Sequence, residues 1–170
     1  MKNTNISIYV PVYNGENTLE RCINSVLEQS IKPSNILILN DCSNDNTIEI
    51  LKKYGGLIHI KSNQSNLGLS HSRNIAVNEL KTRYIASIDA DVELDKYWLE
   101  ILYSSILKND ATLAGGRMYE KYLNNPFNHW RSLRIGQQWG DKDLTEPSFI
   151  FGCNNICLLY TSDAADEHSW

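Results

Sequence analysis

Ser87-Ile88-Asp89-Ala90-Asp91 puts two carboxylates one residue apart at the end of an apolar run. In an extended backbone, side chains at i and i+2 leave the same face, so Asp89 and Asp91 are expected to converge on one ligand. Convergent carboxylates are costly unless water, hydrogen-bond donors or a cation compensate them. A hard divalent ion such as Mg²⁺ or Mn²⁺, which takes oxygen ligands and often bridges to phosphates, would do so. Aspartate is also common where strands stop, so the pair taken alone reads first as a turn. Its surroundings decide.

The elements that must position these groups follow a regular rhythm. Ile6 to Tyr13 is β-branched and aromatic and reads as a buried strand. From Glu16 to Gln29, Leu19, Cys22, Ile23, Val26 and Leu27 recur at helical spacing. Ile36 to Leu39 is a second strand. The helix after it has Ser43 or Asn44 as its expected cap, Asp45 at its positive end, and Gly55-Gly56 as its stop. Leu57 to Ile60 reads as a third strand, and the next helix carries Ile75, Ala76 and Leu80. Tyr84 to Ile88 is the fourth strand, Trp98, Ile101 and Leu102 mark a further helix, and Ala111 to Met118 is strand-like. Strands alternating with helices imply βαβ units and a mostly parallel sheet covered on both faces. Ligands of such sheets bind outside the carboxyl ends of the strands. The polar clusters Tyr13 to Glu16, Asn40 to Ser43 and Asp89 to Asp91 all fall there.

Composition narrows the functional classes. The 170 residues suffice for one ordinary domain, and 42% hydrophobic with 21% charged residues favours folding over disorder. A net charge of −4 and a pI near 5.5 give no general attraction to nucleic acid or anionic lipid. No apolar run is long enough to span a bilayer, and the first residues do not resemble a signal peptide. Cys153 and Cys157 form a C-x₃-C pair without a second pair or flanking histidine, so reduced thiols of a cytoplasmic protein are expected rather than zinc. No G-x-G-x-x-G follows the first strand and no G-x-x-x-x-G-K-[ST] occurs, which disfavours dinucleotide-type and P-loop enzymes.

Four segments in order then carry a resemblance. They are Val10-Pro11-Val12-Tyr13-Asn14-Gly15-Glu16, Asn40 to Thr47, Asn66-Leu67-Gly68-Leu69-Ser70-His71-Ser72-Arg73-Asn74, and Asp89-Ala90-Asp91. Together, over roughly residues 5 to 120, the chain resembles the family 2 glycosyltransferases, inverting enzymes of the GT-A fold that use nucleotide-diphosphate sugars. The resemblance implies an α/β, GT-A-like Rossmann-type sandwich, C-terminally incomplete, with helices on both faces. It implies a nucleotide-sugar site that includes Pro11, Tyr13, Glu16, Asp41, Arg73, Asp89 and Asp91. Within that site, Pro11 and Tyr13 border the nucleobase and Asp41 and Arg73 contact the uracil or ribose region. Asp89 and Asp91 handle the ribose–diphosphate and a divalent cation (Mn or Mg), with Asp91 the direct ligand. Asn40 departs from the pattern, where Asp is frequent, and altered base contacts are expected.

These roles fit the residue chemistry. Tyr13 and the rigid Pro11 can wall a flat base, Asp41 can accept a uracil imide N–H, and Arg73 presents a planar fork to oxygen-rich ligands. Each also has a plainer reading, as a packed aromatic, a turn residue and a surface charge. The reaction that the resemblance implies transfers a sugar, UDP-linked, onto an unknown acceptor, whether glycan, lipid-linked sugar or protein. A non-catalytic nucleotide- or sugar-binding domain and a sugar nucleotidyltransferase are the alternatives. The latter expects a Gly-rich phosphate loop that Asn14-Gly15-Glu16 does not provide.

The family's general base lies downstream of the D-x-D. Glu120 and Glu146 are the nearest carboxylates but lack the expected context, so the base is expected beyond the chain and the fragment itself is expected to be inactive. Phe149 to Ile156 resembles the segment beside the donor sugar. Residues 157–170 instead resemble a translated sequencing-library adapter, so the native domain is expected to cover 1–156 and the rest to be a non-native tail. A cytoplasmic location is expected, at the inner membrane face only through absent residues. The segment from Tyr119 to Pro147, with Trp130, Arg131, Arg134, Gln137, Gln138 and Trp139, reads either as an acceptor or lipid-facing surface or as a cover for an incomplete core, with the cover favoured.

Overall fold

The computed structural model describes residues 4–134 and 144–159. Among them, six strands form one sheet: β1 (Ile6–Val12), β2 (Asn35–Asn40), β3 (His59–Ser62), β4 (Tyr84–Ile88), β5 (Leu113–Gly115) and β6 (Asn154–Leu158). The order across the sheet is β3-β2-β1-β4-β6-β5. Strands β3, β2, β1 and β4 are parallel, and β6 runs antiparallel to both β4 and β5. The expected α/β sheet, mostly parallel and helix-covered, is what forms.

Alternation along the central strands sorts their side chains between two layers. Ile6, Ile8, Val10 and Val12 of β1, with Ile36 and Ile38 of β2, pack against helices α1 (Leu19–Leu27), α2 (Thr47–Lys52) and α4 (Trp98–Asn109). Tyr9, Leu37, Leu39 and Ile85 leave the opposite face and meet Ala76 and Leu80 at α3 (Leu69–Glu79). Helix α1 buries Leu19, Cys22, Ile23 and Val26, spaced i, i+3, i+4, i+7. Each large aliphatic buried this way contributes about 1.5–3 kcal/mol before entropy is counted.

Several boundaries move for identifiable reasons. The strand ending at Tyr13 stops at Val12, because Asn14 enters the left-handed region at φ 53° and turns the chain. Helix α1 starts at Leu19 rather than Glu16, since residues 14–16 bond to the next loop instead. The start of α2 is satisfied by Asp45, whose Oδ1 accepts the Thr47 N–H at 3.0 Å, not by Ser43 or Asn44. Strand β3 begins two residues late, after the left-handed Gly56, and leaves Leu57 exposed. Helix α4 buries Trp98, Leu99, Leu102 and Ile106, while Ile101 faces solvent. The run from Ala111 to Met118 yields only the three residues of β5.

Trp130 does not cover the core. Helix α5 (Pro126–Arg134) buries none of its residues, and Phe127, Trp130 and Leu133 are exposed. Gln137, Gln138 and Trp139 lie outside the described residues, as do residues 160–170 of the expected tail. Strand β6 runs past Ile156: Cys157 pairs with Ile85 and Leu113, and Leu158 with Tyr84. No described helix is long and apolar enough to cross a membrane.

Candidate functional site

At the carboxyl ends of β1 and β2 two loops interlock. The Asp41 N–H donates to Val12 O at 2.8 Å, Asn14 N–H to Ser43 Oγ at 3.0 Å, and Gly15 N–H to Thr47 Oγ1 at 2.8 Å. Glu16 and its partners close the exchange. The Glu16 N–H donates to Asp45 Oδ2 at 3.0 Å, and Glu16 Oε2 accepts from the Asn46 backbone at 3.1 Å and side chain at 2.9 Å. Glu16 is thus placed in the clasp between the loops. Gly15 is the one residue that fits: a Cβ there would stand 2.5 Å from Val12 Cγ2.

Beside the clasp is a small cleft of about 80 Å³ lined by Pro11, Val12, Tyr13, Asp41, Leu69 and Ser72. Tyr13, half exposed, and the buried Pro11 form its wall. Three residues named from sequence therefore share one cavity with two contributed by α3. The volume admits a ring edge and not a whole nucleotide, which would extend over open surface.

Asp41 is 4% exposed and heavily engaged. Its Oδ1 accepts from Asn63 Nδ2 at 2.7 Å and Leu67 N at 2.9 Å, and its Oδ2 from Gly68 N at 2.7 Å. Burial raises the carboxyl pKa, but these three donors and the His71 charge outweigh it, so the group lies below its ordinary range. Gly68 offers its N–H from φ 85°, a conformation a side chain would strain. Asn40, where the resemblance led us to expect altered base contacts, points elsewhere. It is 1% exposed, accepts the Ser43 N–H at 3.1 Å and donates to Ser62 Oγ at 3.3 Å.

Asp89 and Asp91 do not converge through the pleat of a strand. Strand β4 ends at Ile88, and the two sit in a turn closed by the Val92 N–H on Asp89 O at 3.1 Å. Asp89 is half-buried, and Arg73 Nη2 of α3 donates to its Oδ1 at 3.1 Å. Burial pushes the Asp89 pKa up, Arg73 pulls it down, and Asp91 pushes it up again. Asp91 is exposed. Beneath the turn, the buried Cys22 thiol is pushed up to about 12 by desolvation and by the carboxylates of Asp91, Asp89 and Glu93. The Arg73 guanidinium therefore pairs with Asp89, beside which Asp91 adds a second carboxylate. Arg73 also keeps its buried Nε without a hydrogen-bond partner among the described residues.

Several residues of the site carried no sequence signal of their own. Asn63 sits in a polar stretch where nothing separates it from loop surface, and Ser72, though inside the Asn66 to Asn74 segment, is given no role of its own by the resemblance. Glu93 gathers Arg21 Nε at 3.1 Å, Tyr122 Oη at 2.6 Å and the Lys121 ammonium, tying residues 121–122 back to the D-x-D loop. Glu120 is held by Arg131 Nε at 2.7 Å, and Glu146 is exposed, so neither is poised as a free base. Among the described residues no group of three or more His, Cys, Asp or Glu side chains is arranged to hold a metal.

A profile of the family described as Glycosyl transferase family 2 matches residues 7–167. The chain belongs to glycosyl transferase family 2. A curated relative of this family 2 chain is the Escherichia coli UDP-Glc:alpha-D-GlcNAc-diphosphoundecaprenol beta-1,3-glucosyltransferase WfgD. It is 30% identical over 159 residues, 93% of this chain and 60% of WfgD. S. aureus TarS 1–349, solved in complex with UDP-GlcNAc, superposes with a TM-score of 0.58 at 25% identity, covering 64% of this chain and 32% of TarS. The mannosyltransferase PcManGT of Pyrobaculum calidifontis, in complex with GDP-Man and Mn²⁺, gives a TM-score of 0.67 at 14% identity over 91% of this chain and 44% of that one, a likeness of fold alone. The family 2 chain spans less than two thirds of the length of the curated relatives it matches.

Proposed function

We propose that this chain carries the donor-binding half of an inverting glycosyltransferase that takes a UDP-linked sugar. The observation that carries the reading is the adjacency of Ser72 and Arg73 on α3. Ser72 lines the Tyr13/Asp41 cleft, and Arg73 holds Asp89 beside Asp91. A ligand with a base at one end and an anionic diphosphate at the other matches that spacing of an apolar cleft, an acceptor and a cationic fork. The named relatives that act on UDP-glucose or bind UDP-GlcNAc support the donor class.

Asp41 suggests how the base is chosen. A carboxylate offers about four acceptor sites, and three are taken by the chain's own donors. The remaining one belongs to Oδ2, on a residue that lines the cleft. Because hydrogen bonding keeps this group ionised, it accepts and does not donate. Such a group favours a base presenting a ring N–H, as uracil does, over cytosine, whose corresponding ring nitrogen is an acceptor.

The two carboxylates of the turn suit a hard divalent cation, since one arginine leaves them a net negative charge and both offer oxygen. With the remaining ligands coming from diphosphate and water, Asp91 and Asp89 would hold Mn²⁺ or Mg²⁺. When bound, the cation supplies charge neutralisation to the departing diphosphate. Arg73, which the resemblance sets beside the uracil or ribose, reaches Asp89 with Nη2 and so adds positive charge to the same end of the site from the helix side. The base that would activate the acceptor hydroxyl is assigned to neither Glu120 nor Glu146.

The test is calorimetric titration of UDP into the protein with and without Mn²⁺, and again with Asp91→Ala. Metal-dependent binding lost in the variant is the expected result. A folded protein that binds no UDP under any of these conditions would overturn the reading.

A further inference from the structure

We infer that Asn63 is a positioning residue for base recognition: it orients the Asp41 carboxylate so that one lone pair of Oδ2 is left for the ligand. This inference rests on the donor-site reading above and goes beyond it by naming the residue that sets the acceptor's direction and charge.

The geometry begins at the strand ends. Asn63 follows β3 directly, and its backbone N–H donates to Asn40 O at 2.9 Å, extending the β2–β3 ladder by one residue. The backbone of Asn63 is therefore fixed to the strand that delivers Asp41. Its side-chain amide then reaches Asp41 Oδ1 at 2.7 Å and, at a longer 3.5 Å, Ser72 Oγ on the fully buried face of α3. A carboxylate accepts only from the NH₂ end of an amide, so the neighbour itself decides the orientation of the side chain.

This contact has a consequence for the cleft. Leu67 N–H and Asn63 Nδ2 together occupy the two acceptor sites of Oδ1. Gly68 N–H occupies one of Oδ2. Without Asn63, Oδ1 regains a free lone pair and the carboxylate loses the only side-chain donor among the described residues that resists its rotation about the Cβ–Cγ bond. The two backbone donors both come from one loop and cannot replace a contact from β3. Loss of Asn63 thus blurs which oxygen faces the base while leaving the apolar wall of Pro11 and Tyr13 intact.

The ligand class follows from the same chemistry. An oriented, ionised acceptor at the cleft edge recognises a nucleobase with a ring N–H and penalises one that offers an acceptor there, because the buried acceptor then faces another. The titratable group that bears on the Asp41 charge is His71 from α3, while Tyr13 lines the same cleft and Cys42 is its chain neighbour. Of these, His71 also contributes to keeping the carboxyl ionised, so it must be removed from any pH comparison.

The experiment measures UDP and CDP binding by calorimetry for the full chain, Asn63→Ala, Asn63→Ser and Asn63→Asp, between about pH 5 and about pH 8, all in a His71→Gln background. The parent is expected to prefer UDP over CDP with little pH dependence. Asn63→Ala is expected to lose about tenfold in UDP affinity, the size of one hydrogen bond to a charged group, with CDP unchanged. Asn63→Ser, which retains an O–H donor, recovers part of the preference. Asn63→Asp sets a second carboxylate against Asp41, so UDP affinity becomes pH-dependent. In the parent protein, independently of any variant's folding, the Asn63 side-chain amide resonances should shift on adding UDP and not on adding ribose 5-phosphate.

The outcomes separate two failures. A parent that binds UDP and CDP equally, or neither, removes the donor-site reading and this inference with it. A parent that prefers UDP, with folded variants that keep the same preference and the same flat pH profile, overturns the role of Asn63 alone. So does an Asn63 amide that stays silent while UDP binds.

Discussion

Arg73 Nη2 donates to Asp89 Oδ1 at 3.1 Å across the gap between α3 and the end of β4. The residue before it, Ser72, is fully buried and lines the Tyr13/Asp41 cleft, so one turn of helix serves both ends of the site. The placement of that turn depends in part on Asp41, which grips the N–H groups of Leu67 and Gly68 just ahead of α3. Strand β2 therefore sets the helix that sets the arginine.

Arg73 is consequently expected to matter for ligand more than for fold. Replacing it by Met removes a cationic donor from the diphosphate end, and hydrogen bonds involving a charged group are worth about 1.5–3 kcal/mol, or roughly 10–100-fold in affinity. Arg73→Lys should recover only part of this, because an ammonium lacks the planar fork that addresses two oxygens. Calorimetry with UDP checks both. Equal affinities across wild type, Met and Lys would reduce the pair to a structural contact.

Asp41 makes a prediction about acid. Its folded pKa lies below the unfolded value of about 3.9. The stability it contributes is therefore complete above that value and is lost as pH falls through the folded pKa. Asp41→Asn should be less stable than wild type at neutral pH by about 1–3 kcal/mol, since an amide can accept at only one end and presents N–H groups to N–H donors. The gap between the two should narrow below about pH 4. Urea unfolding at a series of pH values reads it directly, and a gap independent of pH would contradict the assignment.

Much of this architecture was legible because it rests on periodicity. The alternation in β1 and β2 and the i, i+3, i+4, i+7 set in α1 are consequences of burial, and burial selects residue type. The residues that shape the cleft were legible only in part. Pro11, Tyr13 and Asp41 could be grouped through a resemblance of ordered motifs, and they share one cavity. Asp89 and Asp91 were grouped by an argument from extended backbone, yet the chain has already left the strand and turned. Asn63 lay outside every motif, and Ser72 and Asn154 lay inside segments that resemble the family without a role being assigned to either. Their work is done by hydrogen bonds to residues distant in sequence, and a single polar residue carries no period that could reveal such a partner. The exposed face of Trp130 departs from the favoured reading for the opposite reason: an apolar side chain does not by itself say that it covers anything.

Gly15 offers a steric test of the interlocked loops. A methyl group there would sit 2.5 Å from Val12 Cγ2, and Val12 is itself packed in the core. Overpacking of this kind costs about 1–3 kcal/mol, with a fall in Tm of roughly 2–4 °C per kcal/mol for a chain of this size. Gly15→Ala should therefore melt earlier. Adding Val12→Ala should return part of the loss, giving a non-additive double-mutant cycle. Strict additivity would mean that the backbone relieves the clash by moving elsewhere.

Asn154 supplies the last prediction, and it concerns how the antiparallel edge is held against the site. The side chain is 3% exposed, accepts from Trp98 Nε1 at 2.5 Å and donates to Arg117 O at 3.1 Å. Its backbone carbonyl accepts the Gly116 N–H at 3.1 Å, and a Cβ on Gly116 would stand 2.7 Å from Asn154 Oδ1. One asparagine thus ties α4, the stretch after β5 and the start of β6. Just before it, Gly152 approaches the Arg73 guanidinium, 3.6 Å separating a Cβ built there from Nη1. Replacing Asn154 by Leu keeps the volume but removes the acceptor of the Trp98 indole N–H, which costs about 1–3 kcal/mol when that group stays buried. The expected result is a loss of at least that size in urea unfolding, together with weaker UDP binding as Gly152 shifts from Arg73. A variant that is destabilised yet binds UDP with full affinity would separate the two effects and confine Asn154 to stability.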